Sequence, residues 1–182
     1  LLPVIFFYFS RERVESSARQ LSNNFKLIEN RDEIKDKYDE VFGDLTTEEL
    51  ALLNLDEHMW MWSRGVGYHH AGLAPIVKEF VEYLFLNKYI KFLFATETLA
   101  LGINMPAKAI FIDRLHKYDG IKTRPITQSE FLQLSGRAGR RGIDDKGYAF
   151  LSYDRSINKD WYSNLFTLKS SNLNSAFSVS YS

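Results

Sequence analysis

Val4-Ile5-Phe6-Phe7-Tyr8-Phe9 is an unbroken run of β-branched and aromatic residues, and it decides the fold class. A strand with one face in water alternates apolar and polar residues. A run without polar interruption suits a strand covered on both faces, as in a parallel sheet with helices on either side. Ser10 follows as an N-cap, and Val14, Ala18 and Leu21 then share one helical face. Ser10 and Arg11 therefore fall at the carboxyl end of a strand, where open α/β sheets place ligands. A capping serine beside a solvated arginine fits the same residues equally well.

The same pattern recurs downstream. Gly65 to His70 reads as a short strand that turns through Ala71, Gly72 and Leu73 into a helix with Pro75 at its first position. In that helix Ile76, Phe80 and Leu84 and the neighbouring row Val77, Val81 and Phe85 make a wide apolar stripe. Phe92 to Ala95 is the next strand, followed by Thr96-Glu97-Thr98 and a short helical stretch to Gly102, Ile103 and Asn104. Ala109 to Ile112 and Gly147 to Tyr153 supply two more strands. Strands alternating with helices predict an α/β fold, a doubly wound parallel sheet flanked by helices.

Three stretches depart from the alternation. Residues 22–64 are polar and charged and read as a helical insertion over the sheet edge, with Thr46 and Glu49 as a capping box. Met59, Trp60, Met61 and Trp62 are expected to pack this insertion down, although aromatics can also stack on single-stranded bases. Leu115 to Ile126 contains Asp119-Gly120 and reads as a hairpin or a long loop. Thr127 and Glu130 form a second capping box that launches a helix through Phe131 and Leu134. In the serine-rich tail, Leu173, Phe177 and Tyr181 fit a helix, whereas Phe177, Val179 and Tyr181 fit a strand.

Composition narrows the function. The formal net charge is zero, so a broad basic surface for nucleic acid is excluded and any phosphate contact must be local. With no cysteine there is no disulfide, thiolate metal site or cysteine nucleophile, and nothing points to an oxidising compartment. The histidines show no metal-ligand spacing, so no metal site is expected. The opening apolar run is too short to span a bilayer, and no membrane association is expected. Without an initiator Met, the chain reads as an excised piece that begins at a strand.

Gln133 to Gly142, QLSGRAGRRG, is the densest cluster of chemistry. Arg137 and Arg140 are three apart, which on a helix sets them on one face. Both carry planar, permanently charged forks suited to phosphate. Gly136 and Gly139 precede them and leave room for a close backbone or a nucleotide. Two readings stay open on the residues: an arginine finger for phosphoryl transfer, or a surface turn in which the arginines pair with Asp144 and Asp145.

FFYFSR at residues 6–11, YHHAGL at 68–73, FLFATETLALGINMPAK at 92–108 and QLSGRAGRRGIDDKG at 133–147 occur in that order. Together they resemble the C-terminal RecA-like lobe of superfamily-two helicases, most closely the superkiller and exosome-cofactor RNA helicases of the DExH group. The resemblance implies a second motor lobe of an ATP-dependent RNA helicase, moving 3′ to 5′ in RNA processing or decay. It makes Arg137 and Arg140 arginine fingers and gives Gly102, Asn104 and Gln133 an ATP-binding role. It assigns Ser10, Arg11, His70, Gly72 and Thr96 to the RNA track.

The implied partners are RNA, an N-terminal RecA-like lobe, a winged-helix domain of the same protein and an exosome or related RNA-decay complex. The implied cofactor is ATP with Mg²⁺, and the implied location is intracellular, cytoplasmic or nuclear. Residues 1–153 would form the lobe, and residues 154–182 a linker and the start of the winged helix. A related DNA-repair lobe and a non-catalytic nucleic-acid-binding module are the alternatives. No GxxxxGK[ST] phosphate loop occurs, and Asp39-Glu40-Val41-Phe42 and Asp56-Glu57-His58-Met59 imitate a DExH box only superficially. The isolated piece is therefore expected to be inactive on ATP.

Overall fold

The computed structural model describes residues 1–24, 31–102 and 105–166. Five strands run parallel in the order β2-β3-β1-β4-β7, with β1 at Val4–Tyr8, β2 at Val66–His69, β3 at Phe92–Thr96, β4 at Ala109–Ile112 and β7 at Tyr148–Leu151. The apolar run at Val4 is the central strand, paired on one side with β3 (Val4 opposite Phe92) and on the other with β4 (Val4 opposite Ala109). Its position explains its composition, since only the middle of such a sheet is shielded on both faces.

Alternate residues of the strands serve two cores. Ile5, Phe7, Leu93, Ala95, Ile110 and Ile112 point to the face covered by helix α5 (Pro75–Leu86) and helix α7 (Gln128–Ser135). Phe6, Tyr8, Tyr68 and Phe94 point to the opposite face, where helix α1 (Arg11–Asn24) inserts the fully buried Val14 and Ala18. Helices on both faces make this the doubly wound sheet that the element order predicts.

The polar segment after α1 forms helices α2 (Arg31–Phe42), α3 (Thr47–Leu52) and α4 (Leu55–Trp62), of which α4 packs on the outer strand β2. Ile34, Phe42, Leu55 and Trp62 are buried in the same cluster as Phe80 of α5, so this segment completes the core beyond the sheet edge. Met61 and Trp62 are fully buried, as expected of packing residues. Both capping boxes are present: Thr46 and Glu49 bond reciprocally ahead of α3, and Thr127 and Glu130 ahead of α7.

Asp119-Gly120 turns a two-stranded antiparallel hairpin, β5 (His116–Tyr118) and β6 (Thr123–Pro125). The Asp119 carboxylate accepts from the Ile121 and Lys122 amides, and Gly120 takes φ of 100°. After β7 a further helix, α8 (Lys159–Phe166), buries Leu165 against the main core. The alternative readings at Leu173 to Tyr181 lie outside the described residues. None of the described helices is long and apolar enough to cross a membrane.

Candidate functional site

Ser10, Arg11, His70, Gly72 and Thr96, scattered in sequence, converge at the carboxyl ends of the adjacent strands β2, β3 and β1. Ser10 caps α1, its hydroxyl accepting from the Arg13 amide at 3.4 Å. His70 is nearly fully buried, and each ring nitrogen has a partner. The Gly72 amide donates to Nδ1 at 3.0 Å, so that nitrogen is unprotonated. The proton of the neutral ring therefore sits on Nε2, which donates to the Glu15 carboxylate at 3.0 Å. Burial pulls the His70 pKa below its ordinary value, although Glu15 pushes the other way.

Gly72 sits in a tight space. A Cβ there would lie 3.1 Å from the Arg11 guanidinium and from the His70 ring. The glycine thus lets an exposed arginine lie against the loop. Thr96 is only 9% exposed, and its hydroxyl shares a 2.9 Å hydrogen bond with that of Thr98. Thr98, beside it, is the exposed hydroxyl.

The arginine cluster lies toward the opposite, amino-terminal end of the sheet. The expectation that Arg137 and Arg140 share a helix face is not met: α7 stops at Ser135, capped by Gly136, and both arginines follow it in a loop. Gly139 takes φ of 92°, which only glycine adopts without strain, and breaks the helical path. The loop is pinned to the residue before β4, with the Ala107 amide donating to the Arg137 carbonyl at 2.8 Å and the Gly139 amide to the Ala107 carbonyl at 2.7 Å.

Each guanidinium has its own environment. Arg137 donates to the Ala100 carbonyl of helix α6 (Thr98–Gly102), which ties it to the helix that ends in Gly102. Asn104 lies outside the described residues. Arg140 grips Asp144 through two parallel bonds, Nε to Oδ2 at 2.7 Å and NH2 to Oδ1 at 2.8 Å. The Asp144 side chain is 5% exposed, and the guanidinium holds it well below the usual carboxylate range. The surface-turn reading therefore describes the Arg140 pairing correctly. Arg140 and Arg141 also line an open groove of about 520 Å³ with Gly136, Gly139, Pro3 and Pro106.

Two cationic forks beside glycine backbone suit an anion such as a nucleotide phosphate. Among the described residues no group of three or more His, Asp or Glu could hold a metal ion. Gln133 is exposed on α7, between Leu134 and the charged trio Glu97, Lys117 and Glu130. Asp39 to Phe42 lie in α2 and Asp56 to Met59 in α4, so neither acidic string follows a strand.

The loop also depends on Gly147. A Cβ there would sit 2.3 to 2.5 Å from the backbone of Ala138 and Gly139, atoms that cannot swing aside as a side chain can. Gly147→Ala is expected to destabilise the chain by about 1–3 kcal/mol, the usual range for forced overpacking. An unchanged urea midpoint would show that the arginine loop is not packed against residue 147.

The sequence matches the helicase conserved C-terminal domain model over residues 40–142, more than half of its length. The chain belongs to that family. Among the curated relatives of this helicase lobe, the DExH-box ATP-dependent RNA helicase DExH9 of Arabidopsis thaliana is 40% identical over 183 residues, 98% of this chain and 18% of the relative. The exosome RNA helicase MTR4 of Mus musculus is 43% identical over 183 residues, 98% of this chain and 17% of that protein. The ATP-dependent RNA helicase mtr4 of Schizosaccharomyces pombe is 38% identical, again over 98% of this chain and 16% of its own length. The helicase lobe thus spans less than a fifth of these relatives. Its sheet is the RecA-like fold that the motif order implies.

Residues outside the predicted set brace the elements that carry it. Glu15 orients His70 and also accepts from Arg19 at 2.9 Å. Arg19 reaches Glu57 of α4, which joins the helical segment to the His70 loop. The i, i+4 spacing of Glu15 and Arg19 was the only local signal of this network. Lys117 and its two carboxylates left no such signal, because they come from three separate elements.

Proposed function

We propose that this helicase lobe is the second motor lobe of an ATP-dependent RNA helicase, moving 3′ to 5′ and serving RNA processing or decay. The observation that carries this reading is the placement of two chemically distinct groups on one parallel sheet, at its two ends. At the carboxyl ends, Arg11, the loop fixed by His70 and Gly72, Ser10 and the Thr96–Thr98 hydroxyl pair suit a sugar-phosphate chain. At the other end, Arg137 and Arg140 follow α7, with Arg137 tied to the α6 helix that ends in Gly102; Gln133 lies on α7 itself. Asn104 completes the ATP set by its motif.

ATP supplies the γ-phosphoryl group whose transfer to water drives translocation. Arg140 contributes charge stabilisation there by exchanging the Asp144 carboxylate for a phosphate oxygen. Arg137, held by α6, fixes the loop and adds a second cation. The Mg²⁺ ligands and the phosphate loop belong to an N-terminal RecA-like lobe of the same protein. Residues 1–153 form the lobe with its 22–64 helical segment, and residues 154–182 lead into a winged-helix domain. An exosome or related RNA-decay complex is the proposed assembly, in the cytoplasm or nucleus, by likeness to the relatives named for such roles.

RNA and DNA single strands of equal sequence distinguish this reading from that of a DNA-repair helicase. The full-length ATPase is expected to be stimulated several-fold more by the RNA. Equal or greater stimulation by DNA overturns the RNA assignment, and no stimulation by either overturns the motor assignment.

A further inference from the structure

Lys117 lies on β5, outside every motif that defines the site, yet four elements meet at its ammonium. It donates to Glu97 Oε1 at 2.8 Å, in the turn between Thr96 and Thr98. It pairs with Glu130 Oε1 at 3.0 Å, in the first turn of α7. It also sits 5.9 Å from the centre of the Phe9 ring, the residue before Ser10, within cation–π range. Only 16% of its side chain is exposed, so solvent screens these attractions weakly.

Glu130 is not a passive acceptor. It closes the α7 capping box by accepting from the Thr127 amide at 2.7 Å, and it takes a two-pronged bond from Arg124 of β6 at 2.9 and 3.0 Å. The hairpin, the α7 amino terminus and the β3–α6 turn are thereby locked together. At the far end of α7, Arg137 bonds the Ala100 carbonyl of α6, a second tie between the same two helices. A shift of Glu97 must therefore move α7, or break a charged contact that is shielded from water.

We infer that Lys117 is a positioning residue that makes the arginines following α7 respond to RNA at the Thr96–Thr98 turn. This rests on the motor reading above. RNA that displaces or orders the turn moves Glu97, and the shared ammonium carries the movement to Glu130 and so to the helix that presents Gln133, Arg137 and Arg140. Lys117 itself touches neither nucleotide nor RNA in this scheme.

The test uses the full-length protein with oligoadenylate as the RNA. Lys117→Met is expected to leave basal ATP turnover and oligoadenylate affinity, measured by filter binding, at wild-type values. The RNA-stimulated kcat should fall by about tenfold. Glu97→Gln should lower it similarly, and the double variant should lose no more than either single one, because both remove one contact. Full stimulation in Lys117→Met overturns the inference, as does a parallel fall in basal turnover and RNA affinity, which would mark a merely structural lysine. A wild-type enzyme that RNA does not stimulate would instead overturn the motor reading, and the inference with it.

Discussion

Arg140→Ala in the full-length protein is expected to reduce ATP turnover by about 10³- to 10⁵-fold, the contribution of an arginine finger in related phosphoryl-transfer enzymes. RNA affinity should hold, because Arg140 lies toward the amino-terminal strand ends while the RNA-facing residues lie at the carboxyl ends. Steady-state ATPase assays and filter binding on one preparation check both halves. The geometry adds a constraint: Arg140 meets Asp144 with a planar fork, and a phosphate must compete with that pair. Arg140→Lys keeps the charge but loses the fork, so it is expected to restore little. Near-normal turnover in Arg140→Ala would remove Arg140 from the catalytic group, and near-normal turnover in Arg140→Lys would show that the charge suffices without the fork.

Trp62→Ala carries the largest expected stability loss, about 3–5 kcal/mol. Trp62 is fully buried and sits at the join between α4 and α5, with its ring centre 4.9 Å from that of Phe80 and stacked on His58 at 5.1 Å. Truncation opens a cavity flanked by a helix on each side, and neither can close it without leaving the sheet. Among the described residues the indole nitrogen has no hydrogen-bond partner, so nearly all of the contribution is packing. Trp62→Phe retains most of the volume and should therefore cost much less. Urea unfolding of the two variants separates the cases, and equal midpoints would contradict the packing account.

Much of the fold was legible because its causes are local. Val4 to Phe9 had to be a strand covered on both faces, since no polar residue interrupts it. Thr46 with Glu49 and Thr127 with Glu130 marked two helix starts by a bond pattern that spans three residues. Asp119-Gly120 marked the hairpin for the same reason. Where the reading failed, the helix ended too early: α7 stops at Ser135, and Arg137 and Arg140 follow in a loop whose path Gly139 turns with a positive φ, so their three-residue spacing does not set them on one helical face.

The site was legible only as a set of motifs, and its internal bonds were not. His70 bonds Glu15 and Lys117 bonds Glu97 across stretches that no periodicity connects. Thr96, assigned to the RNA track, is nearly closed off, and Thr98, two residues on, presents the open hydroxyl. Which of these two threonines faces outward depends on how the strand meets α6, a detail that residue types alone do not encode.

The strand order has a consequence for synthesis. Val4 to Tyr8 is translated well before both of its neighbours, Phe92–Thr96 and Ala109–Ile112. At about 5–20 residues per second, the most apolar stretch of the chain waits several seconds without a pairing partner. Nascent protein from this region should therefore be a strong client for hydrophobic-binding chaperones until residue 112 has cleared the exit tunnel.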